Sequence, residues 1–520
     1  MRASTSRPGA DVDYDYIVVG AGSAGCVLAA RLTQDGRKSV LLLEAGPRDT
    51  DRWIHVPLGY GKLFTRTDVN WSYESEPEPN LNGRRIFTPR GKVLGGSSSI
   101  NGLVYIRGQA EDFDGWGVPG WSFAALRPYF EKAELELKVS DLERHELADA
   151  FIDAAASLGI PRTADFNGPS QEGTGYYRAT AHLGKRRSTA VAYLRAAEKR
   201  PNLTVLTNAL ATKVLFDGAR ATGVEFVREG KTLKASAASE VILSGGAFNS
   251  PQLLEVSGVG KRAFLEEKGI AVVHDLPDVG EHLQDHFYAR TFWRCNKACT
   301  LNDDMASWHG KLKIGLQYYL QKKGPLTISA GHAAAFLRTR PELKRPDAQI
   351  YFINFSAMKR GGFLHPHSGF TCSVSQLQSE SRGSSHVRSA DPAAPPAIRY
   401  NDLATETDRR TMVEGLKWVR RIAAAPPLRD YVIDEFYPGA GVQSDEDWLA
   451  FVRESGETVF HPTSTCSLGK VVDERLRVKG LAGLRVVDAS VMPAVPSGNI
   501  NAAVIAVAEK AADLVQQDGR

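Results

Sequence analysis

Cysteine is scarce in this chain. Cys26, Cys295, Cys299, Cys372 and Cys466 are the five among 520 residues. They are scattered and odd in number, and no Cys/His pair joins Cys295 and Cys299 to complete a zinc pattern. This argues against a metal site and for reduced thiols in a cytoplasmic protein. Charge of one sign is missing too. The 64 Lys and Arg nearly balance 60 Asp and Glu, and a net charge of +4 gives no global attraction for nucleic acid. No apolar run reaches the roughly 20 residues of a transmembrane helix. The last candidate, Ala502–Val515, is interrupted by Glu509, Lys510 and Asp513. It reads as an amphipathic surface helix, which leaves peripheral membrane contact open. Met1–Val12 is polar, lacks the apolar segment of a signal peptide, and reads as a disordered tail.

What is present is an ordinary globular balance, 42% hydrophobic and 24% charged, over a length that suits two or more cores. The most informative stretch begins at Asp15. The apolar strand Tyr16–Val19 runs into Gly20-Ala-Gly22-Ser-Ala-Gly25, then a helical run Cys26–Leu32 and a second apolar strand, Ser39–Leu43, ending at Glu44. This order of strand, turn, helix, strand and acid is the setting of a dinucleotide site. Gly20 allows the turn, Gly22 lets backbone approach a pyrophosphate at the helix N-terminus, and Gly25 allows close packing of helix on strand. Glu44 is placed to accept from both adenosine ribose hydroxyls, which disfavours a 2′-phosphate.

From Gly46 to Gly120 the chain is irregular and rich in Gly and Pro, and so much non-periodic chain predicts function. Strands are predicted at Leu203–Leu206 and Ala211–Phe216, with a hairpin of Ala221–Arg228 and Thr232–Ala235 around Glu229-Gly230. Glu240–Ser244 and Leu484–Asp488 are continuous apolar strands, as buried parallel strands are. Between them, Ala348–Phe355 and Phe370–Leu377 alternate in the antiparallel manner, a short run follows at Ala397–Tyr400, and a helix is predicted over Glu406–Ala424. The fold class predicted is mixed α/β. A discontinuous Rossmann-like nucleotide domain (13–150, 201–285 and 456–518) carries an inserted substrate domain on an antiparallel sheet (151–200 and 286–455).

Three more motifs carry chemistry. Arg90-Gly91-Lys-Val-Leu94-Gly95-Gly96-Ser97-Ser98-Ser99-Ile100-Asn101-Gly102 is either a phosphate- and flavin-binding loop or a flexible Gly/Ser loop. Ser244-Gly245-Gly246-Ala247 opens the run to Gly260, and it is either a cofactor contact or a strand-to-helix turn. Near the C-terminus stand Phe460-His461-Pro462 and Asp488-Ala489-Ser490, followed by Asn499. Asp488 is either a helix N-cap or a cofactor contact. Phe460 is either a substrate-pocket wall or core packing.

Together with the first fingerprint, these motifs resemble, in order, the signatures of the GMC (glucose–methanol–choline) oxidoreductases, FAD-dependent alcohol oxidases and dehydrogenases. The resemblance runs from Tyr14 to Val515 and is nearest to the choline-dehydrogenase-like and bacterial alcohol dehydrogenase branch. It implies FAD contacts at Gly20, Gly22, Ser23, Ala24, Gly25, Glu44 and Ala45. The covering region adds Trp71, Arg90, Gly91, Leu94, Gly95, Gly96, Ser97, Asn101, Gly102 and Val104. Val214 is implied as a backbone contact for adenine. Ser244, Gly245, Ala247, Asp488, Ala489, Asn499 and Ile500 complete the set. Family members that bond FAD covalently use a histidine where this chain has Ile100, so FAD is expected to be non-covalent.

The resemblance also implies the reaction, oxidation of a primary alcohol to an aldehyde with hydride transfer to flavin N5. His461 is the implied base and Asn499 its partner on the alcohol oxygen. The acceptor is oxygen or a quinone. The alternatives are a non-redox member of the fold (a hydroxynitrile lyase or fatty-acid photodecarboxylase) or an NAD-dependent dehydrogenase. Three departures stand out: Ser464 replaces a usual glycine, Leu468 a usual methionine, and His282 a usual asparagine. The segment Glu134–Asp141 is shorter than in many relatives, which implies a more open entrance.

Overall fold

The computed structural model describes residues 13–357 and 362–519. The segment Met1–Val12, read above as a tail, lies outside them. Two seven-stranded sheets organise the chain. In the first, five strands run parallel in the order Leu203–Leu206, Val40–Leu43, Asp13–Val19, Lys231–Leu243 and Leu484–Val486. Ile17, Val18, Leu41, Leu42, Val241 and Ile242 are all buried, because helices and loops cover both faces and neighbouring side chains point to opposite sides. Strand Lys231–Leu243 is shared. Its first half pairs antiparallel with Arg220–Arg228, which in turn pairs with Ala209–Asp217. The turn between them is Glu229-Gly230, both at positive φ (52° and 72°), the twist a tight hairpin needs.

The second sheet is antiparallel, in the order Val432–Tyr437, Phe287–Cys295, Gly369–Gln376, Ala348–Ile353, Ala333–Leu337 and Gly173–Tyr176. Helix Glu406–Ala424 packs on one of its faces, burying Met412, Leu416, Val419 and Ile422 with Ala289, Trp293, Ile350, Phe352, Phe370, Cys372 and Val374. Period-two alternation therefore sends Tyr288, Arg290, Phe292, Tyr351, Ile353, Thr371 and Ser373 to the other face, where they line a cavity between the sheets. Residues 190–197 return to the core of the parallel sheet through Ala190, Tyr193, Leu194 and Ala197.

The closing helix, Asn501–Asp518, corrects the reading of Ala502–Val515 as a surface helix. Every residue from Ala502 to Glu509 is buried, as are Ala511, Ala512 and Val515. The charge that suggested a surface is satisfied internally. Glu509, 0% exposed, meets Arg31 Nη2 and Lys132 Nζ, each at 2.7 Å. Arg31 comes from the helix Ser23–Leu32, so this ion pair clamps the closing helix against the first βαβ unit. Among the described residues, no helix is long and apolar enough to cross a membrane.

Removing one partner of a buried pair strands the other. Arg31→Ala is expected to cost roughly 3 kcal/mol, read as a lower urea midpoint. Lys132→Ala is expected to cost clearly less, since the Lys132 side chain is 40% exposed.

Candidate active site

Three chain segments meet with almost no side chain between them. A Cβ on Gly25 would lie 1.8 Å from the Gly20 carbonyl oxygen, so the first helix sits directly against the turn that precedes it. Gly96, at φ 51°, approaches Gly22 so closely that a Cβ there would lie 2.6 Å from Gly22 Cα. The helix Ser23–Leu32 has no side-chain cap at its N-terminus. Its first amides are left to face the cavity beside Gly22 and Ser23, the arrangement that suits an anion. At one end Glu44 accepts from the amides of Ala21 (3.0 Å) and Gly46 (2.8 Å). Burial pushes its carboxyl up to about 7, against those two hydrogen bonds.

The cavity has a volume of about 660 Å³ and runs between the two sheets. Gly20, Gly22, Ser23, Ala24, Glu44, Ala45, Trp71, Arg90, Gly91, Gly96, Ser97, Asn101, Gly102, Val104, Ser244, Gly245, Ala247, Asp488, Ala489, Asn499 and Ile500 line it, and so do His461 and Phe460. Four residues read as cofactor contacts do not. Gly25 is behind the turn, Leu94 is in the core, and the Gly95 amide donates to Ala21 O at 2.8 Å. Val214 is the fourth. Its amide donates to Ser257 Oγ at 2.8 Å, and its strand reaches the cavity at Ala209–Ala211 instead.

Asp488 lines the cavity and is also a cap. Its side chain caps the turn Ala489–Val491 through Ser490 N (2.8 Å) and binds Ser490 Oγ (2.5 Å), Ser250 Oγ (2.6 Å) and Gly246 N (2.8 Å). With those four donors the carboxylate's lone pairs are used internally. Phe460 lines the cavity and meets the Phe64 ring edge-on at 5.7 Å. No residue from 134 to 141 lines the cavity. Glu134–Leu137 is the last turn of a helix whose Ala133 and Leu137 pack in the core.

At the other end of the cavity stands a chain of hydrogen bonds. His286 Nε2 reaches Leu377 O at 3.1 Å, His286 Nδ1 reaches His461 Nδ1 at 3.0 Å, and His461 Nε2 faces Asn499 Nδ2 at 3.2 Å. A carbonyl only accepts, so His286 carries its proton on Nε2 and offers Nδ1 as acceptor. His461 then donates from Nδ1, and its Nε2 holds the lone pair. Burial pushes His286 down to about 4, keeping it neutral. Asn499 is oriented by Tyr351, whose hydroxyl donates to Asn499 Oδ1 at 3.3 Å. Asp285 underlies the chain. Its Oδ1 accepts from the amides of His286 (2.7 Å) and His461 (2.8 Å), and burial pushes its carboxyl up to about 6.

Sequence reasoning missed several of these residues. His286 and Asp285 lie in the Gly280–His286 run, where only His282 drew attention. Arg186 was unseen. Fully buried, it donates to the oxygens of Ile54 (2.7 Å), Ser98 (3.1 Å) and Asn101 (O 2.7 Å, Oδ1 2.6 Å), and burial pushes it down to about 9. It fastens the covering loop without a carboxylate partner, and no sequence pattern marks such a role. The cavity residues of the antiparallel sheet could have been found from its alternation once one face was known to be covered.

Comparison with known proteins fits this geometry. The chain belongs to the GMC oxidoreductase family: residues 14–288 match the N-terminal family model and 379–508 the C-terminal one. It is an FAD-dependent oxidoreductase. It is 42% identical to an oxygen-dependent choline dehydrogenase of Photobacterium profundum, over 96% of this chain and 93% of that one. It is also 42% identical to an alcohol dehydrogenase [acceptor] of Pseudomonas putida, over 96% and 95%. Its fold superposes on an Aspergillus oryzae formate oxidase, studied for its FAD modification, with TM-score 0.90 at 25% identity, over 98% and 99% of the two chains.

Gly96→Ala is expected to force the loops of Gly22 and Gly96 apart. The purified variant should remain folded by circular dichroism and lose most of its flavin absorbance.

Proposed function

We propose that this protein oxidises a primary aliphatic or aryl alcohol to the aldehyde, with non-covalent FAD. The observation that carries the reading is the Leu377–His286–His461–Asn499 chain, in which His461 donates from Nδ1 and its Nε2, beside the cavity, accepts from Asn499 Nδ2. Bound FAD supplies the two-electron acceptor for the hydride that leaves the carbinol carbon. His461 Nε2 takes the hydroxyl proton, and Asn499 Nδ2 donates to the alcohol oxygen as negative charge develops on it. His286 holds the tautomer and touches no reacting atom. Glu44 would bind the adenosine ribose, the N-terminus of Ser23–Leu32 the pyrophosphate, and Arg90 and Ser97 the covering side. Ile100 offers no nucleophile and is buried with Ile54, Leu63, Val69 and Val93, which supports non-covalent binding.

The cavity wall supports the substrate class. Tyr60, Phe64, Phe460, Tyr288 and Tyr351 line the cavity along with His461, and Leu301, Met305, Ile314 and Leu326 add apolar wall. Arg290 also faces the cavity, 3.4 Å from Glu457. The electrons would leave to oxygen or a quinone; one relative is named oxygen-dependent, and another is named only for an unspecified acceptor.

Anaerobic bleaching of the flavin by a panel of alcohols tests the reading. His461→Ala should slow bleaching by roughly 10²–10⁴-fold while FAD is retained. Failure of every alcohol to bleach a fully loaded flavin would sink it. His286→Leu should slow bleaching by about 10–100-fold and alter its pH profile, whereas His286→Gln, which still offers an acceptor, should restore much of the rate. Regain of colour in air, or only with a quinone dye, separates the two acceptors.

Glu44 gives a pH prediction. Ribose hydroxyls stabilise its carboxylate, so bound FAD lowers a pKa that is about 7 without it. FAD affinity should therefore weaken as pH falls through that value, and Glu44→Gln should flatten the dependence, measured by flavin fluorescence titration. For the protein without FAD the sign is reversed. The folded pKa lies above the unfolded one, so Glu44's contribution to stability is present at low pH and lost as pH rises through about 7.

A further inference from the structure

Five exposed large apolar side chains gather on one helix, Trp308–Gln321. Trp308 is 66% exposed, Leu312 52%, Leu316 49%, Tyr319 76% and Leu320 74%. At 3.6 residues per turn these five fall within an arc of roughly 120°. Lys311 and Lys322 flank one edge of the arc and Lys313 the other. Ile314, on the opposite side, is the one buried residue of the helix. From Met305 to Pro341 the sequence has no Asp or Glu. The tip of the hairpin Ala181–Arg186 continues the patch. Leu183 is 75% exposed, and the next residue, Gly184, packs so tightly on Lys322 that a Cβ would lie 2.4 Å from its carbonyl oxygen.

The patch lies at the mouth of the cavity. Ile314 from the inner side of this helix lines the cavity, together with Met305, Leu301 and Leu326 around it, and Met305 is itself 37% exposed. One helix thus has its inner side on the cavity and its outer side in solvent.

We infer that Trp308–Gln321 is an interfacial helix that lies on an anionic lipid surface, with Leu183 beside it, and that it turns the cavity mouth toward the bilayer. An apolar arc with Trp and Tyr, edged by lysine and free of acid, is what the headgroup boundary of an anionic leaflet favours. An interface between two copies of the chain is the competing use of such a face. Lysine is depleted from interface cores between proteins, and here lysines border the apolar arc on both sides. The inference does not rest on the reaction proposed above.

Flotation of the FAD-loaded protein with phosphatidylglycerol/phosphatidylcholine vesicles tests it, with pure phosphatidylcholine vesicles and light scattering alongside. Wild type should float with the anionic vesicles and much less with the neutral ones. Leu312→Glu with Leu316→Glu should lower binding roughly tenfold or more. Lys311→Glu with Lys313→Glu should remove the preference for anionic lipid. Both variants should keep wild-type flavin content and thermal midpoint. No binding by wild type, or equal binding by wild type and the Leu variant, would overturn the inference. So would a wild-type dimer that ignores vesicles and that the Leu variant dissolves.

Discussion

Everything about the nucleotide end depends on backbone meeting backbone. Gly25 lies against the Gly20 carbonyl, and Gly96 against Gly22 Cα. The first contact seats a helix N-terminus at the end of the central strand. The second lets the covering loop close over it. A methyl group at either place would separate elements that meet backbone to backbone, so the motif tolerates no compromise in side-chain size. Arg186 then secures the covering loop by donating to carbonyl oxygens on both sides of it, a role suited to a planar group with five donors.

At the other end the controlling interaction is electrostatic. Asp285 holds the amides of His286 and His461 on one carboxylate oxygen, which sets two imidazoles from distant parts of the chain at a fixed approach. From there the proton positions follow without further choice, since the Leu377 carbonyl can only accept. The backbone is strained to allow this. Phe460, Ser464 and His282 all have positive φ (71°, 77° and 65°) although none is glycine. Such residues persist only where surrounding structure over-determines them. His282 is held by Asp278 at 2.7 Å, and Ser464 by Thr463 at 2.9 Å between hydroxyls.

Those angles explain part of what was legible in the sequence. Two of the three departures from the family's usual motif, Ser464 and His282, fall where left-handed backbone favours glycine and asparagine. The departures read as curiosities in sequence and as one feature in space. Parallel strands were legible because burial on both faces forces continuous apolar runs. The antiparallel block was legible as alternation, but alternation alone does not say which face helix Glu406–Ala424 covers, and so Tyr288, Arg290 and Tyr351 could not be assigned to the cavity. Nor does a strand's pattern reveal that Ser257 takes the Val214 amide.

The two helices misjudged or passed over make the same point from opposite sides. Asn501–Asp518 carries Glu509 and Lys510 and looks like a surface helix, yet Arg31 and Lys132 neutralise Glu509 within the core. Trp308–Gln321 carries Trp, Leu, Ile and Tyr and looks like core, yet Ile314 is its one buried residue. Helical periodicity reports that a helix has two unlike sides. It does not report which side finds protein. A buried charge is tolerable when its partners are supplied from elsewhere in the chain, and an exposed apolar arc is tolerable when something outside the chain covers it. The first condition is met by residues nearly five hundred positions apart in sequence. The second requires a partner whose chemistry is written in the lysines beside the arc.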